Sequence, residues 1–435
     1  MRQATVAHRT DLPPFGSLSI DGHPVDTCVP RRWPVASRAA SALAVAMTLA
    51  GCGSLPRVPV PVAQSQVAVI PYMPEVRDWL GRPDPVLERD LAASFAQESP
   101  TDFPPGPDGL VRYPHLALSG GGANGAFGAG FLKGWSSTGT RPVFKIVTGV
   151  STGALMAPFA FLGPAQDDAL RDFYTTTRSR DIFVLGSIIR QLLAGEALAD
   201  TAPLRALLDR HVDAELMRQV GLAHQRGRRL YIGTADLDAS RFVVWNMGLI
   251  AISGRPESLA LFRQVMLASA SVPVAFPPVL FDVETAPGGA RYDEMHVDGG
   301  VGARVFLNGG LFRGSVVRER GGAGAGREDI FVIHNGQLRP VPDPIRRALP
   351  DIALRVLSAS GRAAVLNDLL RIAAYAQQEQ ASFQWVTIPD TVAAQESEEV
   401  FDPVTMRGLF DAGHALAIQG KGVWSTRPLG RTDSP

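Results

Sequence analysis

From residue 114 onward, short apolar runs alternate with longer stretches in which apolar residues recur at helical spacing. "HLALS" and "FKIVTG" are continuous apolar runs that predict buried strands, "ANGAFGAGFLKGW" predicts a helix between them, and "GALMAPFAFLG" predicts a helix after the second. Strand, helix, strand and helix within about 50 residues make a βαβ unit, and such units build parallel sheets. Further strands are predicted at "RLYIGTADL", "RFVVWNM", "DIFVIHN" and "FQWVTIP", and helices over residues 167–177, 204–225, 256–268, 362–380 and 404–419. The expected fold class is α/β with a mostly parallel central sheet.

The chain before this domain has a different texture. Residues 1–52 end in a basic flank (Arg31, Arg32, Arg38), an apolar run over 39–50, and Leu49-Ala50-Gly51-Cys52. That is the layout of a secretory signal peptide, and its apolar run is too short for a spanning helix. The Leu-Ala-Gly-Cys ending resembles the lipobox of bacterial lipoproteins, which implies cleavage before Cys52, acylation of its sulfur, and a place in the cell envelope at the periplasmic face of the outer membrane. About 30 residues precede the basic flank. A start further downstream would restore the usual layout, whereas a start at Met1 puts export in doubt. Residues 53–110, rich in Pro and Val at first, read as an extended tether with one or two short helices. The main domain is expected over 111–425, with a short tail at 426–435.

Composition narrows the function classes. The 435 residues are 46% hydrophobic and 19% charged, with 42 basic and 42 acidic side chains, so there is no electrostatic footprint for nucleic acid. The cysteines, Cys28 and Cys52, lie outside the main domain and give it neither a disulfide framework nor a thiolate metal site. Nothing in the sequence identifies a protein partner.

Three stretches carry candidate chemistry. In Gly149-Val150-Ser151-Thr152-Gly153, a serine sits where a strand gives way to a helix, flanked by glycines two residues away on either side. This is the setting of a nucleophile on a strained turn, although small residues also gather at ordinary tight turns. In "SGGGANG", Gly120-x-Gly122-x-x-Gly125 matches a dinucleotide fingerprint, which requires an acidic residue at the end of the next strand. No Asp or Glu occurs from Gly109 through Gln166, and Ser151 stands at the required place. The glycine loop can instead present backbone N–H groups to a developing oxyanion.

The third stretch, "VDGG", places Asp298 before Gly299 and Gly300, as a turn or as a base. An ordinary aspartate, with a pKa near 3.9, is a weak base at neutral pH unless it bonds the hydroxyl in a desolvated site. The rival base is a histidine, and His334 in "FVIHNG" is the best placed, though a strand-end histidine is more often structural.

In that order, "SGGGANG", "GVSTG" and "VDGG", with "LASASVPVAFPPV" ahead of the aspartate, resemble the patatin-like phospholipase family. The resemblance implies a three-layer α/β/α fold and a Ser–Asp dyad that hydrolyses acyl esters of lipids without metal or cofactor. It assigns Ser151 as nucleophile, Asp298 as proton acceptor, the amides of Gly120, Gly121 and Gly122 as the oxyanion hole, and Gly125, Gly149, Gly153, Gly299 and Gly300 as motif glycines. Asn124 departs from the family, which usually has Arg or Lys there. That departure keeps open a lipoprotein of the same fold acting in lipid binding or envelope assembly without turnover. Residues 181–198 mix apolar runs with few charges and fit either a lipid-facing lid or a buried helix.

Overall fold

The computed structural model describes residues 55–427 except 80–81, 83–84, 100, 186–196, 308–313, 323–325, 340–341, 343, 393–396 and 398. Cys52, the expected signal peptide, the centre of the 181–198 segment and nearly all of the C-terminal tail therefore lie outside the described residues.

Eleven strands are described: β1 Arg77–Trp79, β2 Val111–Leu118, β3 Ile146–Val150, β4 Val184–Leu185, β5 Ala199–Asp200, β6 Arg229–Asp236, β7 Arg241–Asn246, β8 Val279–Glu284, β9 Arg291–Asp298, β10 Gly326–His334 and β11 Ser382–Thr387. Nine form one mixed sheet in the order β1-β7-β6-β3-β2-β10-β11, with β9 pairing β6 and β8 beyond it, while β4 and β5 form a separate pair. The five strands from β11 to β6 run parallel, and β7, β1, β9 and β8 are added antiparallel.

The strand period of two sorts the core into layers. On β10, Phe331 and Ile333 face one side with Leu116 and Leu118 of β2, while Ile330 and Val332 face the other with Ala117. The first face is covered by helices that include Gly125–Ser137, Thr152–Leu162, Ser258–Ser269 and Pro403–Ala417, and the second by Val86–Ala96 and Leu349–Gln378. Helices on both sides of a mostly parallel sheet make the α/β architecture expected from the sequence.

Three differences from expectation have local causes. The helix expected over 204–225 is two helices, Ala202–His211 and Ala214–Gln225, because Asp213 caps the second by accepting from the Leu216 amide at 2.8 Å. The helix expected at 362–380 begins at Leu349, 13 residues earlier, through turns that bury little. The stretch expected as a tether, where described, is part of the body instead. Ala68, Ile70, Met73 and Val76 enter the main core, β1 pairs β7, and Asp90 of the helix Val86–Ala96 takes the buried Arg229 guanidinium at 2.5 Å. Residues 54–435 accordingly cluster as one unit, and no structural boundary falls at 110.

Candidate active site

At the end of β3 the backbone turns sharply through Ser151, which adopts φ 56° and ψ −127°, a left-handed conformation that costs a non-glycine residue about 1–3 kcal/mol. Its carbonyl accepts from the Ala154 and Leu155 amides at 2.9 and 3.2 Å, so the helix Thr152–Leu162 starts at once. Crowding explains the two flanking glycines. A Cβ on Gly149 would stand 2.4 Å from the Gly153 carbonyl oxygen, and one on Gly153 would stand 2.4 Å from that of Leu118. Tyr174 closes the first helical turn by donating to the Thr152 carbonyl oxygen at 2.9 Å.

Sheet register brings Asp298 to the same place. Val150, the last residue of β3, is opposite Gly233 of β6, and Asp298, the last residue of the antiparallel β9, is opposite Thr234. Two strands approaching from opposite directions thus end one residue apart along the same edge of β6, which closes a gap of 147 residues in sequence. Asp298 is buried, its Oδ1 accepts from the Gly300 amide at 2.7 Å, and its Oδ2 has no hydrogen-bond partner among the described residues. Burial pushes its carboxyl up to about 6, against the opposing pull of the neighbouring Ser151 hydroxyl, the Gly300 amide and the Arg304 charge. The Ser151 hydroxyl is thus close enough to act on this carboxylate, yet no hydrogen bond of ordinary geometry joins them; such contacts commonly tighten when substrate is bound.

The glycine loop lies against the serine: a Cβ on Gly120 would be 3.1 Å from that of Ser151. The Gly120 amide, expected as an oxyanion donor, is already committed to the Arg304 carbonyl oxygen at 3.1 Å. The amides of Gly121 and Gly122 have no acceptor among the described residues, and Gly122, at φ 57°, opens the turn Gly122–Asn124 that leads into Gly125–Ser137. Two candidate donors therefore remain of the three. Gly121 is pressed on Asn335, where a Cβ would fall 2.0 Å from the carbonyl oxygen, and Gly125 on Thr152. Gly122 and Ser151 border a cavity of about 360 Å³ whose other walls are almost wholly apolar, among them Leu155, Phe173, Ile182, Leu204, Phe276 and Met406.

Residues 116–308 match the family model described as Patatin-like phospholipase. They are a patatin-like phospholipase domain. The match covers 193 of the 435 residues and spans all three glycine-bearing motifs. No curated protein matches the sequence. Among solved structures, the crystal structure of VipD from Legionella pneumophila is similar at 11% identity over 73% of this chain and 69% of that one, with a TM-score of 0.38, too low to carry any argument.

Within the patatin-like domain the histidine alternative finds no support. The Nδ1 atom of His334 is hydrogen-bonded to the Ser119 hydroxyl at 2.9 Å, and burial holds the ring down to about 4. It braces the strand under the glycine loop together with Asn335, whose side chain donates to the Ser119 carbonyl oxygen at 2.9 Å. Among the described residues no histidine hydrogen-bonds Ser151. Asp236, Glu294 and His296 come together with metal-ligand spacing. Guanidinium groups already take these carboxylates: Arg77 holds Glu294 at 2.5 Å and Arg241 holds Asp236 at 3.0 Å. The cluster is an ion-pair network.

The "LASAS" segment carries no catalytic signal in sequence, yet it holds the site together. Its Ser269 hydroxyl accepts from the Ser151 amide at 3.0 Å and donates to the Gly233 carbonyl oxygen at 2.7 Å, while the Ser271 carbonyl oxygen accepts from the Asp298 amide at 2.8 Å. One segment therefore clips the strained turn to β6 and holds the aspartate strand. Ser269→Ala would strand a buried donor and a buried acceptor, each costing about 1–3 kcal/mol if left unpaired. The expected result is a fall in kcat of roughly 10- to 100-fold with KM little changed, since small misplacements of reacting groups have such costs. Steady-state kinetics on a soluble ester, beside a melting curve to confirm folding, would check it.

Proposed function

We propose that the protein is a lipid acyl hydrolase using a Ser151–Asp298 dyad. The observation that carries the reading is a strained serine beside a buried carboxylate oxygen and glycine-loop amides that have no partner among the described residues, with Ser151 and Gly122 in the wall of one apolar cavity. Asp298 takes the proton as Ser151 Oγ attacks the ester carbonyl, the carbonyl oxygen gathers charge toward the Gly121 and Gly122 amides, and the alcohol or lysolipid leaves with a proton. Water then attacks the acyl-enzyme with Asp298 again accepting its proton, which releases the fatty acid. A carboxyl raised to about 6 is ionised at neutral pH yet basic enough to serve, which an aspartate near 3.9 would not be. No Arg or Lys stands at Asn124, which is exposed, and among the described residues the cation acting on Asp298 is Arg304.

The acyl chain of the substrate would occupy the cavity beside Leu155, whose walls offer it few polar groups. Cys52 is the proposed lipid attachment point, which would hold the domain at the envelope membrane. The alternative of a non-catalytic lipid-binding lipoprotein rests on Asn124 alone.

A fluorophosphonate probe separates these readings, since it reacts only with an activated serine. The expected result is stoichiometric labelling of the full chain at Ser151 by peptide mass spectrometry, no labelling in Ser151→Ala, and undiminished labelling in His334→Ala. Failure of the folded parent to label would defeat the hydrolase reading, and loss of labelling in a folded His334→Ala would restore histidine as the base.

A further inference from the structure

The helix Leu349–Gln378 is anchored only over its second half. Its first buried residue is Gly361, so residues 349–360, about 18 Å of helix at 1.5 Å per residue, form an arm with no buried side chain. The arm is apolar on both faces. Leu354 lines the cavity that opens at Ser151, while Leu349, Ile352 and Val356 recur at i, i+3 and i+7 and are exposed by 79%, 44% and 57%. Those three share one helical stripe, and Leu354, about 200° from Ile352, points the opposite way. Two further residues, Leu185 of β4 and Val400, both line the same cavity and are exposed. Exposed apolar side chains normally occur singly. Here Leu185, Leu354 and Val400 border one opening, and the exposed stripe lies on the helix that carries Leu354.

We propose that this arm and the rim of Leu185 and Val400 form a lipid-docking face, which the domain lays on a bilayer so that the cavity mouth meets the acyl chains. The inference rests on the lipid hydrolase reading above and adds where and how the lipid is met. Three observations favour a bilayer over another occupant. The rim is continuous with an apolar cavity of a size suited to an acyl chain, so an ester presented from a bilayer could enter without crossing water. The arm presents apolar side chains on two sides, Leu354 toward the cavity and the exposed stripe of Leu349, Ile352 and Val356 away from it, so one short helix offers lipid contact beside the opening. The chain has no net charge, and Arg346 beside the arm is paired with Asp351 at 3.0 Å, so attachment would be driven by apolar contact and would not require anionic lipid.

The test uses the full chain with Cys52→Ser, so that an attached lipid cannot supply the binding, with and without Leu349→Ser, Ile352→Ser and Val356→Ser together. With neutral phosphatidylcholine vesicles, the stripe variant is expected to lose at least tenfold in both flotation and vesicle hydrolysis, while hydrolysis of dissolved p-nitrophenyl butyrate stays within twofold. Val356→Trp, a milder change, should add an emission that shifts to the blue with vesicles and is quenched by brominated lipid. Unchanged flotation and vesicle hydrolysis in the stripe variant would overturn the proposal, as would an indole emission insensitive to vesicles. A dimer of the parent that the stripe variant abolishes in sedimentation velocity, with vesicle binding unaltered, would make the face a self-interface and also overturn it. If the parent hydrolyses no ester but its flotation still depends on the stripe, the docking face stands and the catalytic reading falls.

Discussion

Replacing Ser151 with alanine is expected to lower hydrolysis of a p-nitrophenyl acyl ester by about four orders of magnitude or more, the scale on which loss of a catalytic serine acts elsewhere. The hydroxyl is the only part of that side chain the chemistry needs. Its removal leaves the turn, the cavity and the loop amides in place, so affinity for a non-hydrolysable lipid analogue should be nearly unchanged. The backbone gives this prediction a second arm. Ser151 holds φ 56° at an energetic cost of about 1–3 kcal/mol, which glycine would largely escape. Ser151→Gly should therefore be as inactive as Ser151→Ala and melt at a higher temperature. A Ser151→Ala protein that retained more than a few per cent of parental turnover would remove the serine from the mechanism.

Asp298→Asn is expected to abolish turnover by about three to four orders of magnitude while making the fold more stable at neutral pH. Asparagine keeps the shape and can still accept from the Gly300 amide, but it cannot take the serine proton. The stability change follows from linkage. Burial raises the carboxyl of Asp298 from 3.8 to about 6, so the fold favours its protonated form. The stabilisation from that form is complete below about pH 4 and is lost as pH rises through 6. At pH 8 the native protein thus carries a penalty of about 3 kcal/mol, at 1.4 kcal/mol per unit, that a neutral side chain avoids. Calorimetry should show Asp298→Asn melting a few degrees above the parent at pH 8 and the difference shrinking toward pH 4. The same carboxyl predicts that kcat/KM falls tenfold per unit below about pH 6. An acid limb centred near 4 would mean that the base is not this buried aspartate.

That pairing of lost activity with gained stability is the signature of a site whose groups are held in unfavourable states for use. Both unfavourable features are present here, a left-handed serine and a buried carboxyl with one oxygen unpartnered among the described residues. Ser269 offsets the first by tying the turn to β6, and the Gly300 amide and Arg304 oppose the second.

Much of this was legible in the chain. The apolar runs around 115–118 and 146–150 became β2 and β3 because both faces of those strands are buried, and the acid-free stretch from 109 to 166 already argued against a ribose-binding carboxylate. The glycines at 149 and 153 marked a turn where side chains have no room, a local constraint that sequence records directly. What stayed hidden depends on partners far away in sequence. The helical arm at 349–360 carries no stripe facing the core, so periodicity placed the helix start 13 residues too late. The segment after residue 54 reads as a tether because its valines, interrupted by prolines, match no helical period; they pack because the sheet edge at β7 and β8 is there to receive them.

Sequence alone therefore determined the layered fold, the identity of Ser151 and Asp298 as candidates, and the glycine loop beside them, since each rests on residue type and short spacing. Tertiary structure decided three things: that β3 and β9 end one residue apart on β6, that Gly120 is committed to Arg304 while Gly121 and Gly122 are free of protein acceptors among the described residues, and that Asp298 is buried deeply enough to titrate near 6. The physical reason is the same for all three. Register, hydrogen-bond partners and desolvation are properties of what surrounds a residue, and its surroundings are assembled from strands and helices up to 200 residues away.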